Sequence, residues 1–176
     1  MKRMWRVVVL AVLAAGCGYA LAGKTNNLPA HIKRIGVPTF QNLTPYPDVD
    51  RLFTEAVRLE LSSRRKYAVV PDATGADAVL TISIQSLTGV PTAFTSDTKL
   101  ASRYLTTVIL SGEFKDVANG TVLWNRGSLR LAEDYDAPDG VAGSDLASLF
   151  AQQPNALERI AKKFAQSLVP TILSSW

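Results

Sequence analysis

Two long strand-like segments joined by Asn119-Gly120 set the main constraint on the fold. Asn-Gly between strand-forming runs is a strong signal for a tight β-hairpin turn. Ser102 to Val117 leads into the turn, and Val122 to Tyr135 leads out of it, with Gly127 marking a bulge in the second strand. The first segment has a shared apolar face made of Tyr104, Val108, Leu110 and Phe114. The sequence therefore predicts a β-meander at the centre of the molecule.

Three further segments have the composition or the alternation of strands, namely Ile32 to Phe40, Tyr67 to Val70 and Ala78 to Leu87. The third alternates cleanly between apolar and polar positions. Its apolar positions are Leu80, Ile82 and Ile84, and its polar positions are Thr81, Ser83 and Gln85. Gly89 to Lys99 and Asp136 to Ser144 are rich in turn residues, and both are predicted to be loops.

Two segments have the three-four spacing of amphipathic helices. The first begins at Asp48, a good capping residue, and ends near Arg64-Arg65-Lys66. Its apolar stripe contains Val49, Leu52, Phe53, Ala56, Val57 and Leu61. The second begins at Asn155 and keeps its spacing to Leu173, with Pro170 in its last turn.

These elements indicate an α/β fold, in the form of an α+β two-layer sandwich. We expect four to five mostly antiparallel strands with two helices packed on one face. The other face of the sheet carries Thr, Ser and Gln, and it is either solvated or covered by a partner.

Cys17 is the only cysteine, and it follows a short apolar leader, Val7 to Ala15, that is preceded by basic residues. The run is too short for a transmembrane helix, which needs about 20 residues. A positively charged start, an apolar run and small residues before the cysteine are typical of a bacterial lipoprotein signal. An ordinary buried thiol, or a secretory signal cut elsewhere, are the alternatives.

We therefore predict three regions: a lipoprotein signal peptide over residues 1–16, a lipidated extended lead over 17–31, and a single domain over 32–176. Three of the nineteen Lys and Arg residues lie in the signal, which leaves sixteen basic against fifteen acidic residues. The basic character of the chain is thus a targeting feature, and no nucleic-acid partner is expected.

Residues that carry chemistry are few. His31 is the only histidine and has no nucleophile or acid near it in sequence. No Gly-rich phosphate loop is present. The acidic pairs Asp48 with Asp50 and Glu133 with Asp134 are read as a helix start and a strand end that face water. We expect no enzyme, no metal site and no cofactor.

Several segments, in order and spacing, resemble the outer-membrane lipopolysaccharide-assembly lipoprotein family, LptE. They are Cys17 to Gly23 with Leu28-Pro29, Ile32 to Thr44, Ala76 to Leu80, Asp116 to Trp124, and Tyr135 followed by the amphipathic C-terminal helix. The resemblance covers nearly the whole chain after the signal, and it implies a role rather than a reaction.

The resemblance implies a lipoprotein that plugs and stabilises a large LptD-like outer-membrane β-barrel translocon and binds lipopolysaccharide. It also implies a lipid anchor in the outer membrane, on the periplasmic side. The residue after the cysteine is Gly18 and not Asp, which fits sorting to the outer membrane as it operates in enteric bacteria. Because a glycolipid head carries phosphates, basic residues at a loop tip are natural contacts. Lys99 and Arg103 are our candidates, and the alternative is that they are two solvated charges bordering a loop. The second contact region of the family, here Asp136 to Asp145, contains no basic residue.

Two other functions remain open at this stage. One is a periplasmic lipoprotein that regulates another envelope machine, such as a cell-wall synthase activator or a secretion-channel subunit. The Asn-Gly hairpin, with Leu123-Trp124 after it, and the single long terminal helix argue against that class. The other is a lipid-anchored hydrolase, which would need His31 as its base.

Overall fold

The structure of the protein is a computed structural model that describes residues 28–174. Within this range the chain forms one sheet, with strands in the order β3-β1-β4-β5-β6 and with β2 paired to the same edge of β4 as β1. The strands are β1 Arg34–Gly36, β2 Gln41–Asn42, β3 Ala68–Val70, β4 Ala78–Phe94, β5 Ala101–Asp116 and β6 Val122–Val141. The helices are α1 Val49–Ser63, α2 Leu146–Gln152 and α3 Ala156–Leu173.

This architecture confirms the predicted α/β class and its two layers. The long strands β4, β5 and β6 are antiparallel, whereas the short strands β1, β2 and β3 run parallel to their neighbours. The expected four to five strands and two helices become six strands and three helices within residues 28–174.

The predicted strand from Ile32 to Phe40 is shorter in the structure, where β1 covers only Arg34–Gly36, and the additional strand β2 follows outside it at Gln41–Asn42. Side chains of α1 satisfy the backbone between them. Arg58 donates from Nε and Nη2 to the Val37 carbonyl at 2.9 and 2.7 Å, and the Phe40 N–H donates to Thr54 Oγ1 at 2.9 Å. Backbone groups satisfied by a helix have no need of a neighbouring strand.

The predicted loops Gly89 to Lys99 and Asp136 to Ser144 are wrong for most of their length. β4 continues to Phe94 and β6 continues to Val141. Gly89 is required in the strand because a Cβ there would lie 2.3 Å from Leu146 Cδ2. The glycine thus lets α2 approach the sheet, and it does not mark a turn.

The hairpin at Asn119-Gly120 and the bulge at Gly127 are both confirmed. Gly120 has φ 67°, the left-handed conformation that favours glycine. Leu110 pairs with Leu129 and Gly112 with Arg126, so two residues of β6, Gly127 and Ser128, face one residue of β5. β4 has its own register shift between Ile84 and Ser86 at the same level of the sheet.

The helices cover the face of the sheet that carries the apolar residues. Phe53 of α1 stacks on Phe164 of α3 with ring centroids 5.9 Å apart. Asp48 precedes α1 as predicted, but it has φ 61° and its side chain makes no capping hydrogen bond. Its carboxylate instead lies 3.4 Å from Arg51 Nε. The short helix α2 is an element that the sequence reading missed.

Candidate interaction surfaces

One face of the sheet, named here the open face, is not covered by the helices that pack on the opposite, apolar face. On β4 the side chains of Thr81 and Ser83 point to this face, as the alternation predicts, and Ser83 donates from Oγ to Gln41 Oε1 at 2.9 Å. A shallow depression of about 280 Å³ lies here. It is lined by Thr81, Ser83, Ser111, Gly112, Glu113, Asn125, Arg126 and Gly127. This part of the face offers hydroxyl, amide and charged groups to whatever covers it.

Beyond the two register shifts, the same face becomes less polar. Val90 and Leu105 are directly paired across β4 and β5, and they are 61% and 36% exposed. Phe94, at the end of β4, is 59% exposed. The open face therefore has a polar half near the hairpin at Asn119 and a mixed half near the opposite turn.

That opposite turn, residues 95–100, is named here the tip turn. It is held by the Thr95 N–H, which donates to the Leu100 carbonyl at 2.8 Å, and by the Lys99 N–H, which donates to the Thr95 carbonyl at 3.2 Å. Lys99 has φ 55° and an exposed side chain. Among the described residues its ammonium group has no hydrogen-bond or ion-pair partner, so it is available to an anion.

Arg103 lies at the start of β5 and is committed to an ion pair. Its Nε donates to Asp136 Oδ1 at 2.7 Å, across the β5–β6 pairing that joins these two residues. The hydrogen bond from Arg103 lowers the pKa of the Asp136 carboxyl and raises the pKa of the guanidinium. The two candidate residues thus differ: Lys99 carries an uncompensated charge, whereas the charge of Arg103 is largely balanced.

Asp136 is the residue of this region that the sequence reading missed. It is the first residue of a predicted loop, for which local sequence identifies no partner. Had β6 been extended by one residue past Tyr135, the pairing with β5 would have placed Asp136 opposite Arg103.

His31 has a partner that is distant in sequence. Its Nε2 lies 2.6 Å from Asp116 Oδ2, and the Asp116 side chain is 2% exposed. Burial raises the pKa of Asp116, but hydrogen bonds from His31 and from the N–H groups of Asn119 and Ala118 hold it below its usual value. The carboxylate therefore joins the residues before β1 to the β5–β6 hairpin, which is a structural role.

Asp77 makes a second connection of the same kind. Its Oδ2 accepts from the N–H groups of Lys33 and Arg34 at 2.9 and 2.8 Å. These two backbone hydrogen bonds lower the pKa of Asp77. Leu28 and Ile32 are buried in the core, so the described residues before β1 are fixed on the domain by apolar contacts and by two carboxylates.

The acidic pair Glu133 with Asp134 is not a simple solvated strand end. Glu133 Oε1 accepts from Ser167 Oγ of α3, and the Asp134 carbonyl accepts from Lys163 Nζ of the same helix. Both residues therefore connect β6 to α3.

Within residues 28–174 no group of three or more His, Cys, Asp or Glu side chains is arranged to hold a metal ion. No helix in that range is both long enough and apolar enough to cross a membrane. Cys17 lies outside the described residues, so its lipidation stays a prediction.

Several solved structures are similar to this chain at low sequence identity. The PelC dodecamer from Paraburkholderia phytofirmans is 18% identical, with a TM-score of 0.50, over 85% of this chain and 92% of that chain. The hypothetical protein CT253 from Chlamydia trachomatis is 10% identical, with a TM-score of 0.53, over 82% and 97%. Rare lipoprotein B from Shewanella oneidensis is 15% identical, with a TM-score of 0.44, over 81% and 96%.

No curated protein sequence matches the chain. The sequence profile of one family does match, and that family is described as LptE: Lipopolysaccharide-assembly. The match runs over residues 32–172 and so includes all six strands and nearly the whole of α3. The chain belongs to the LptE lipopolysaccharide-assembly family.

Proposed function

We propose that this protein is an outer-membrane lipoprotein that plugs and stabilises an LptD-type β-barrel translocon and assists lipopolysaccharide assembly. In this proposal Cys17 carries the lipid, the domain lies on the periplasmic side of the outer membrane, and no catalysis takes place. The observation that carries the proposal is the family match over residues 32–172, which extends from the first strand into the last turns of α3.

The open face of the sheet supports the role of a plug. The lumen of a large outer-membrane barrel is polar, and a surface that enters it must offer hydrogen bonds rather than apolar contacts. The hydroxyl and amide groups of Thr81, Ser83 and Asn125 lie on such a surface. The face is formed by three long strands, so it is held in one shape by backbone pairing before any partner arrives.

Lipopolysaccharide binding is proposed at the tip turn, where Lys99 offers an exposed ammonium group to a phosphate. Arg103 contributes in this proposal only if the phosphate competes with Asp136 for its guanidinium. We therefore expect Lys99 to contribute more to glycolipid binding than Arg103 does. Replacing Lys99 with Gln should weaken glycolipid binding more than replacing Arg103 with Gln does.

The test is photocrosslinking in outer membranes from four positions, one at a time: Lys99, Arg103, Thr81 and Ser83. We expect the first two to trap glycolipid and the last two to trap a large barrel protein. Leu59, which is 68% exposed on α1, is a matched surface control that should trap neither. Trapping of a cell-wall synthase or of a secretion channel in place of the barrel would refute the proposal.

Depletion of the protein provides a second test. Loss of the plug should lower the amount of assembled barrel and of surface lipopolysaccharide together. An unchanged level of both, after the protein itself has disappeared, would contradict the assigned role.

A further inference from the structure

The two ends of the sheet differ in charge. Strands β1, β3 and β4 begin at the end where β5 finishes and β6 starts, since Arg34 is paired with Ala68, and Ala78 with both Ile35 and Asp116. We call this the lead end, and define it as residues 28–34, 64–68, 77–78 and 115–122. It contains six Lys and Arg residues and two Asp residues.

Both aspartates of the lead end are occupied by the segment that precedes β1. Asp77 accepts from the N–H groups of Lys33 and Arg34, and Asp116 binds His31. Two of the basic side chains are also paired, Arg34 with Asp77 at 3.7 Å and Arg64 with Glu60 at 2.9 Å. Lys33, Arg65 and Lys115 are exposed, and Val117 and Val122 beside them are 53% and 47% exposed. The result is a basic surface with two exposed apolar side chains at its hairpin.

The opposite end of the sheet has the reverse charge. Residues 92–103 and 134–145 contain two basic and five acidic residues. β4 has 17 residues and rises about 3.3 Å per residue, so the two ends lie roughly 50 Å apart. The molecule is therefore electrically polarised along its long strands.

The lead end is also where the chain enters the domain from Cys17. Ten residues lie between Cys17 and Leu28, and an extended chain over these eleven steps spans at most about 40 Å. A lipid on Cys17 keeps this end within about 40 Å of the bilayer, and a negative surface attracts basic residues once they come within a Debye length, about 10 Å. The lead end thus combines three features: the chain from Cys17 enters there, its surface is basic, and Val117 and Val122 are exposed beside the basic residues.

From this agreement we infer that the lead end is a docking surface for a bilayer that carries anionic lipid headgroups. The inference rests on the proposed function for the lipid on Cys17, and it concerns the lipidated domain before a barrel encloses it. Lys33, Arg65 and Lys115 contact headgroups, Val117 and Val122 reach the interface, and the tip turn points away from that bilayer.

The lipidated chain itself allows a direct test. Because acylation consumes the only native thiol, a Val117→Cys variant can be labelled with a fluorophore at one position. The labelled protein is placed in phosphatidylcholine vesicles, with or without 30 mol% phosphatidylglycerol, that contain a nitroxide-headgroup lipid as quencher. Thr98→Cys, in the tip turn, serves as the distant probe. We expect the position 117 probe to be quenched in the anionic vesicles and the position 98 probe to remain bright.

Removal of basic residues measures how strongly charge contributes to docking. Each basic residue near an anionic surface changes the ratio of docked to undocked protein by about fivefold, so Lys33→Gln with Lys115→Gln should lower it by about 25-fold. The control pair Arg130→Gln with Lys162→Gln removes the same charge from exposed positions outside the lead end, and should change the ratio by less than about twofold. Circular dichroism verifies that each variant is folded.

Two results would overturn the inference: equal quenching at positions 117 and 98, or quenching at 117 that does not depend on phosphatidylglycerol. Either result, with Cys17 shown by mass spectrometry to be acylated, leaves the proposed function intact. An unmodified Cys17 would instead refute the proposed anchor. Flotation of a Cys17→Ser chain with the same vesicles then tests the lead end without the lipid, and failure to float with anionic vesicles refutes it.

Discussion

Removing the ring of Phe164 tests how the two long helices are joined. Phe164 is 2% exposed and stacks on Phe53 with an angle of 24° between the rings. Replacing a buried Phe with Ala typically costs about 3–5 kcal/mol of the free energy of unfolding. For a domain of this size each kcal/mol corresponds to roughly 2–4 °C in Tm. The Phe164→Ala variant should therefore melt about 6–20 °C lower than the native protein.

The contribution of the ring pair itself can be separated by a double-mutant cycle. We expect the single variants Phe53→Ala and Phe164→Ala, and the double variant, to give a coupling of about 0.5–1.5 kcal/mol in urea unfolding. Leu59→Ala is the control, because Leu59 lies on the same helix as Phe53 but is 68% exposed. It should change the free energy of unfolding by less than about 0.5 kcal/mol.

A loss below about 1 kcal/mol for Phe164→Ala would refute the reasoning. So would a control that costs as much as the buried substitution. In either case the α1–α3 contact would not contribute to stability as the burial of the two rings implies.

Three other predictions concern the sheet. Gly89→Ala should destabilise the protein by about 1–3 kcal/mol in urea unfolding, because the new Cβ meets Leu146, and Leu146→Ala in the same chain should cancel part of that loss. Gly120→Ala should lower the free energy of unfolding by about 1–2 kcal/mol in the same assay, because residue 120 has a left-handed backbone conformation. A Cβ at this position meets no other atom, so the loss measures backbone strain alone. Asp77 and Asp116 have lowered pKa values, so they stabilise the fold above the carboxyl pKa of the unfolded chain, near 3.9, and this contribution is lost as the pH falls through their folded pKa values. In Tm measurements between pH 7 and pH 3, Asp77→Asn and Asp116→Asn should each flatten the acid side of the profile, and a profile identical to that of the native protein would contradict this assignment.

The elements that the sequence predicted correctly are those with a local signal. The Asn119-Gly120 turn, the bulge at Gly127 and the stripe of α3 depend on neighbouring residues, and each is found where it was expected. The errors have a common cause in contacts between distant residues. Gly89 resembled a turn residue because nothing nearby shows that Leu146 needs its space.

The candidate site follows the same rule. Lys99 was correctly placed near the turn between two strands, since turn signals surround it. The partner of Arg103 depends on a strand pairing that brings Asp136 opposite it, 33 residues later. His31 and Asp116 are separated by 85 residues, so no local pattern could relate them. Sequence spacing predicted where charges lie, but only the sheet determines which of them are compensated.

The bulge at Gly127 lies on the outer edge of the described sheet. β6 pairs with β5 on one side only, so its 20 residues form the border of the sheet on the other side. A smooth border of that length would be a template for foreign strands and for aggregation. The extra residue at Gly127 interrupts the regular spacing of donors and acceptors, and the exposed side chains of Arg126 and Arg130 on either side of it add charge repulsion between identical copies. A strand from another chain that paired with the outer edge of β6 could not keep its hydrogen-bond register past Gly127.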